Sequence, residues 1–347
     1  MTNVRDGLCF DDVLLVPQHS TIKSRSTVDI SVKWGALEFD HPVIPANMKT
    51  ITGNEMAIEV IQSGGLAILH RFMPIQEQLD IAEDIVEMGN AKKFAVSVGI
   101  KQEDRANIAK FNEVGIKIFC IDVAHGDSDQ CTDMTKWIKE NYPHDSFVIA
   151  GNVASGEAAR RLWRAGANVV KVGVGPGSLC TTRIETGNGV PQLTALMDVA
   201  RVAKEMETLA MTRDYYTKHQ YPIIADGGIK NAGDIVKALC FADMVMVGNV
   251  FAGCEETPGK VLTLDGVPHK EYVGSSTHKT NHIEGVAALV PCKGKFNDIL
   301  RRLLEGLRSG CSYQGASRLE ELKDNPEFVR ITSAGLRESH PHDVIIR

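Results

Sequence analysis

The sequence predicts an α/β fold in which eight parallel strands alternate with helices and close into a barrel. Three observations carry that expectation. Short, β-branched runs recur along the chain, and they are almost continuously apolar, the pattern of parallel strands covered on both faces. There are eight of them, each followed by a helix-length segment, which is the count that closes a (β/α)8, or TIM, barrel. Polar residues and glycines collect at the C-terminal end of nearly every run, where such barrels keep their active sites. A doubly wound open sheet is the competing arrangement, and this clustering argues against it.

The runs are VIPANM (43–48), LAILHR (66–71), FAVSVG (94–99) and IFCIDVA (118–124), followed by FVIAGNV (147–153), VVKVGV (169–174), PIIADGG (222–228) and MVMVGN (244–249). Between the fifth and sixth, SGEAARRLWRAG (155–166) reads as an amphipathic helix ending at glycine. Residues 194–221 read as an extended helix with a polar tip at 212–219. After the eighth strand, residues 260–294 form a polar excursion with a hairpin turn at LDGV (264–267), and a segment of that kind is more often an active-site flap than filler. A C-terminal tail completes the chain.

Length and composition bound the rest. A chain of 347 residues suits one barrel of about 250 residues with insertions, and no linker or repeat divides it, so one domain over 1–347 is expected. A formal net charge of -6 gives no electrostatic case for nucleic acid or a membrane surface. No apolar run has bilayer length, and the first residues lack the apolar core of a signal peptide. Eight cysteines are scattered without a CxxC pair, against a zinc site or a disulfide framework and for a reducing compartment. A cytoplasmic location is expected.

The most informative stretch is KVGVGPGSLCTTR (171–183). Its glycines and proline let the backbone turn N–H and C=O groups outward, toward an anion or a metal ion. It presents Cys180 with Thr182 two residues on, the setting of a nucleophile with a proton shuttle. On a barrel, Asn47, His70, Arg71, Asp122, Asn152, Cys180, Asp226 and Asn249 share one rim. DGGIK (226–230) and VGNV (247–250) follow the last two strands, where barrels bind phosphate through backbone N–H groups. Asp226 could then hold ribose hydroxyls.

The motifs GPGSLCTTR, DGGI, PANM and IDVAHG resemble the IMP dehydrogenase/GMP reductase family along essentially the whole chain. The resemblance implies that Cys180 attacks C2 of a purine nucleotide to form a covalent thioimidate. It implies K⁺ at the carbonyls of Gly175, Gly177 and Cys180, with Arg183 also part of the cation site. Ser178, Gly227, Gly228, Gly248 and Asn249 would lie near the phosphate, and Asp226 near the ribose. The nicotinamide pocket would use His70, Arg71, Asp122, Val123, Ala124, Ser275 and Ser276. The C-terminal sequence resembles that of bacterial dehydrogenases of the family, whose Glu-Ser-His backbone reaches the cation site of a neighbouring subunit. Glu338, Ser339 and His340 would do so here, in a homotetramer.

The two activities of the family differ in what the flap must do. A dehydrogenase must activate water, and its flap carries an Arg-Tyr dyad for this. The stretch EYVGSSTHKTNHIE (271–284) has no arginine, and its one tyrosine, Tyr272, precedes the flap proper. The spacing between Arg71 and Phe94 leaves room for one helix, so the CBS domains usual in dehydrogenases are absent there. Resemblance therefore implies the reductase: GMP and NADPH to IMP and ammonia, with Thr182 and Glu284 relaying a proton to the leaving group. NADPH over NADH rests on the resemblance alone. The alternatives are a dehydrogenase without CBS domains (IMP and NAD to XMP), with His278, Lys279 or His282 as base, and a nucleotide-binding barrel without catalysis.

Overall fold

The computed structural model describes residues 4–213, 220–274 and 285–344. All eight apolar runs are strands: β1 (Val43–Pro45), β2 (Ala67–Leu69), β3 (Phe94–Val98), β4 (Ile118–Asp122), β5 (Phe147–Val153), β6 (Val169–Val172), β7 (Ile223–Asp226) and β8 (Met244–Val247). They form one parallel sheet in the order β1-β8-β7-β6-β5-β4-β3-β2. Its two end strands, β1 and β2, lie against each other, which curls the sheet into a barrel. Most strands are shorter than their apolar runs because the polar end of each run leaves the sheet at the rim. Within the sheet nearly every side chain is buried, as strands covered on both faces require.

Helices follow the strands: α1 (Asn54–Gln62), α2 (Ile75–Glu87), α3 (Gln102–Glu113), α4 (Asp129–Asn141), α5 (Gly156–Arg164), the short α6 (Thr182–Thr186), α7 (Gln192–Arg213) and α8 (Ala232–Leu239). The helix expected over 155–166 is α5. Ser155 caps it by accepting the Ala158 N–H, its inner face buries Ala158, Ala159, Leu162 and Trp163, and Gly166 turns the chain at φ 104°. The long stretch from 194 is α7, and residues 214–219 of its expected polar tip lie outside the described residues.

The excursion after β8 is more ordered than its polar composition implies. Strands β9 (Leu262–Leu264) and β10 (Val267–Val273) form the expected hairpin, with Asp265 and Gly266 both at positive φ, the geometry of a type I′ turn. A third strand that the sequence reading did not anticipate, β11 (Ala287–Pro291), pairs antiparallel with β10. Buried Lys270 bolts this sheet to the barrel, donating to the carbonyls of Cys254 (3.0 Å), Glu255 (2.7 Å) and Thr257 (2.7 Å). Ser275, Ser276, His278, Lys279, His282 and Glu284 lie outside the described residues.

Three further features were not anticipated. Val13–Leu15 pairs antiparallel with Phe328–Arg330, joining the two ends of the chain. A hairpin of Val32–Trp34 and Leu37–Phe39 covers the N-terminal end of the barrel, where Trp34 stacks on Phe147 at 5.9 Å. A long helix, α9 (Phe296–Tyr313), packs so closely on α8 that a Cβ on Gly306 or Gly310 would stand 2.4 Å from Ala232 or Val236. No helix among the described residues is long and apolar enough to cross a membrane.

Candidate active site

The cysteine loop begins where the end of β6 runs tight against the end of β7. A Cβ on Gly173 would stand 1.9 Å from the Asp226 carbonyl oxygen, so only glycine fits. Buried Gln192 ties the same two strands, its Nε2 donating to the carbonyls of Val172 (2.8 Å) and Asp226 (3.2 Å). Arg183 staples the loop: its guanidinium donates to the carbonyls of Val174 (3.2 Å) and Val190 (2.6 Å), and its stem fills the space that Cβ atoms on Gly175 and Gly189 would need. As a cation ligand Arg183 could offer only its carbonyl, which already accepts the Gly187 N–H at 3.1 Å.

Within this frame the Cys180 N–H donates to the Gly177 carbonyl at 3.1 Å, and the half-buried Cys180 thiol hydrogen-bonds Thr182 Oγ1 at 3.2 Å. The sequence pairing of Cys180 with Thr182 is thus a contact. The other buried cysteines are of a different kind: burial pushes the thiols of Cys120, Cys131, Cys240, Cys254 and Cys311 up to about 12, which leaves them protonated and inert.

Cys180 and Thr182 open into a cavity of about 320 Å³ at the C-terminal ends of the strands. Ser178, Gly175 and Gly177 line it from the same loop, Asp226 and Gly227 from the end of β7, and Asp122, Val123 and Ala124 from the end of β4. Arg71 completes this side, its Nε donating to the Asp122 carbonyl at 3.3 Å while its cation lies 4.7 Å from the centre of the Phe72 ring. Gly228, Gly248 and Asn249 are not on the cavity wall. Gly248 lies behind Tyr272, whose hydroxyl would be 2.8 Å from a Cβ there, and the Asn249 carbonyl accepts from Lys293. A larger groove of about 1210 Å³ runs along α7 at the N-terminal ends of β7 and β8; it contains none of the sequence-predicted site residues.

Charge under the cavity is organised by Lys171. This lysine sits in the middle of β6 and is 2% exposed; its ammonium donates to Asp226 Oδ2 (2.7 Å), Asp122 Oδ1 (3.1 Å) and the Asn152 side-chain carbonyl. Asn152 in turn donates to Asp226 Oδ2 and to the Gly173 carbonyl, each at 2.8 Å. Burial alone pulls the lysine pKa down, but the facing carboxylates of Asp226 and Asp122 outweigh it and hold the ammonium charged. His70 is a contrast. Burial, with the Lys49 charge adding to it, lowers its pKa to about 4, and its neutral Nδ1 accepts the Phe72 N–H at 3.0 Å.

Two residues of this site escaped the sequence reading. Lys171 was only the first letter of the loop motif, although a lone lysine inside a buried apolar strand must have an anionic partner. Tyr272 precedes the flap in sequence, yet its hydroxyl is 3.3 Å from Ser178 Oγ and it lines the cavity; burial raises its pKa. Glu338, at the end of α10 (Ser333–Glu338), and the following Ser339 and His340 are exposed, and the hydrogen bonds of Ser339 and His340 are local, to the Gly335, Leu336 and Arg337 carbonyls.

Comparison with known proteins adds an independent line. A family model described as IMP dehydrogenase / GMP reductase domain matches residues 7–342. Among curated relatives, the inosine-5′-monophosphate dehydrogenase of Chlorobaculum parvum is 41% identical over 84% of this chain, which spans 61% of that protein's length. The GMP reductase of Bacillus licheniformis is 38% identical over 96% of this chain and 98% of its own. Among solved structures, a GMP reductase variant from Trypanosoma brucei in complex with guanosine 5′-monophosphate superposes with a TM-score of 0.87, at 29% identity and covering 99% of each chain.

Proposed function

Because the chain belongs to the IMP dehydrogenase/GMP reductase family, we propose that it acts as a GMP reductase, converting GMP and NADPH to IMP, ammonia and NADP⁺. The observation that carries the reading is the Cys180 thiol, set 3.2 Å from Thr182 Oγ1 at the mouth of a cavity whose floor holds a fixed carboxylate, Asp226. That arrangement suits a nucleophile facing a ribose-bearing base. Relatives of both activities match the chain, so the choice between them rests on the sequence 271–284, which lacks the arginine of a water-activating dyad.

In this mechanism Asp226 accepts hydrogen bonds from the ribose hydroxyls, and Ser178 with Tyr272 and the backbone of Gly227 would face the phosphate. Cys180 forms a bond from Sγ to C2, and the C2–N2 bond breaks as Thr182 and Glu284 pass a proton to the departing ammonia. The thioimidate formed this way is the form of the nucleotide that is reduced. NADPH, when bound, would supply the hydride that C2 takes up, and Cys180 would then leave as its thiolate as the C2–Sγ bond breaks. Arg71, Asp122, Val123 and Ala124, which line the cavity beside the Phe72 ring, would hold the nicotinamide end of the dinucleotide. Ser275 and Ser276 would meet it from the flap.

The carbonyl oxygens of Gly175, Gly177 and Cys180 are a donor set for K⁺ rather than for a transition metal, which prefers imidazole or thiolate. Among the described residues no cluster of His, Cys, Asp and Glu offers that alternative. Glu338, Ser339 and His340 would complete the shell from a neighbouring subunit of a homotetramer.

Absorbance at 340 nm in two mixtures tests the reading, one with GMP and NADPH and the other with IMP and NAD⁺, both with K⁺. A fall in the first with ammonia released supports the reductase. A rise in the second means the dehydrogenase, and silence in both means a nucleotide-binding barrel. Cys180→Ser should bind GMP while turnover drops by roughly three orders of magnitude or more.

A further inference from the structure

The ammonium of Lys171 lies between two carboxylates that belong to different halves of the cavity. Asp226 ends β7, on the side assigned to the nucleotide ribose, and Asp122 ends β4, on the side assigned to the dinucleotide. Each is about one-fifth exposed, at 20% and 21%, so each offers an edge to the cavity while the other edge faces a lysine that solvent does not reach. Asn152 joins the group from β5 through both its amide atoms. Lys171 lies at the cavity lining yet is almost wholly buried, and nothing in the mechanism above uses it.

We propose that Lys171 is a positioning residue that holds the nucleotide carboxylate and the dinucleotide carboxylate in one charge-balanced unit, so that both stay ionised and fixed in direction before either ligand arrives. The inference rests on the assignment of Asp226 and Asp122 in the proposed function. Its physical basis is that two carboxylates facing one partly buried site repel each other, and a cation between them offsets that repulsion. The other titratable groups facing the cluster do not replace that cation. Cys120, on β4, is a neutral thiol with its pKa pushed up to about 12, and Tyr272, on β10, is a neutral phenol. The Arg71 guanidinium is engaged with the Asp122 carbonyl rather than with its carboxylate.

Removing the charge while keeping the bulk, as in Lys171→Met, should force one of the two carboxyls to take up a proton on folding. Its folded-state pKa is then raised, so the variant is stabilised at low pH and loses stability as pH rises. The melting temperature of Lys171→Met, relative to the native protein, should therefore fall by about 2 °C per pH unit between pH 5 and 8. Adding Asp122→Asn leaves a single carboxylate, and the slope should vanish. A flat profile in the single variant, or an unchanged slope in the double variant, would overturn the charge coupling; simple loss of packing gives no such pattern.

The ligand arm separates this from the functional assignment. Calorimetry with GMP at pH 7.5, without dinucleotide, should show binding to the native protein, at least about tenfold weaker binding to Lys171→Met, and partial recovery in the double variant. Native-like affinity in Lys171→Met, or no recovery on adding Asp122→Asn, would remove the positioning role. If the native protein ignores both GMP and IMP, the functional assignment fails, and with it the positioning role, while the melting profiles still decide whether Lys171 balances the two carboxylates.

Discussion

At the residue scale, two buried histidines, His70 after β2 and His41 before β1 at the opposite end of the barrel, make the fold less stable in acid. Burial lowers His70 to about 4, and it lowers His41 to about 4 as well, where Nδ1 accepts the Val43 N–H at the start of β1. A base with a lowered folded-state pKa favours the folded form fully above its unfolded value of 6.5, and that contribution is lost as pH falls from there through about 4. The shift corresponds to about 3 kcal/mol per histidine. Urea unfolding followed from pH 7 to pH 4 should show this decline, and His41→Gln should reduce its slope by about half; an unchanged slope would mean that the imidazole takes up its proton inside the fold. Gly173 makes a second case. Gly173→Ala places a Cβ 1.9 Å from the backbone carbonyl of Asp226, and a strand cannot yield as a side-chain tip can. A loss of about 3 kcal/mol or more is expected by chemical denaturation, with GMP affinity reduced in whatever fraction folds.

At the element scale, the sheet of β9, β10 and β11 is joined to the barrel by buried Tyr272, by the Val273 N–H donating to Thr50 Oγ1 at 3.1 Å, and by the three hydrogen bonds of Lys270. Three carbonyls from the loop after β8 converge on one buried ammonium, as they would on a bound monovalent cation. Lys270→Met keeps the bulk and orphans those acceptors at a cost of about 2–4 kcal/mol. Because β10 carries Tyr272 into the cavity and leads directly to Gly274 and the flap residues, the loss should be local. Amide exchange should quicken in Leu262–Leu264 and Val267–Val273 while Phe94–Val98 and Ile118–Asp122 keep their protection. Equal acceleration everywhere would show that Lys270 supports the barrel as a whole rather than the sheet.

At the scale of the whole molecule, the proposed K⁺ site and the C-terminal tail make one prediction together. Light scattering should give a particle of four times 37.9 kDa, and replacing K⁺ by Li⁺ should lower turnover. Deleting residues 338–347 should abolish the response to K⁺; a K⁺ response that survives the deletion would place the cation site within one chain. Much of the barrel was legible beforehand, and for a definite reason. A parallel strand buried on both faces is written as an unbroken apolar run, so each of the eight, from VIPANM to MVMVGN, announces itself locally. The cysteine loop was legible in the same way, since its glycines, Cys180 and Thr182 act within a dozen residues. The pairing of Val13–Leu15 with Phe328–Arg330 was not: strands of three residues carry no periodicity, and each lies at the far end of the chain from its partner. Lys171 shows the division most clearly. Its presence in a buried strand demanded an anion, which the sequence by itself determined. That the partners are Asp122 and Asp226, 49 and 55 residues away, was decided only when the curled sheet brought β4, β6 and β7 together and left the ammonium no water to face.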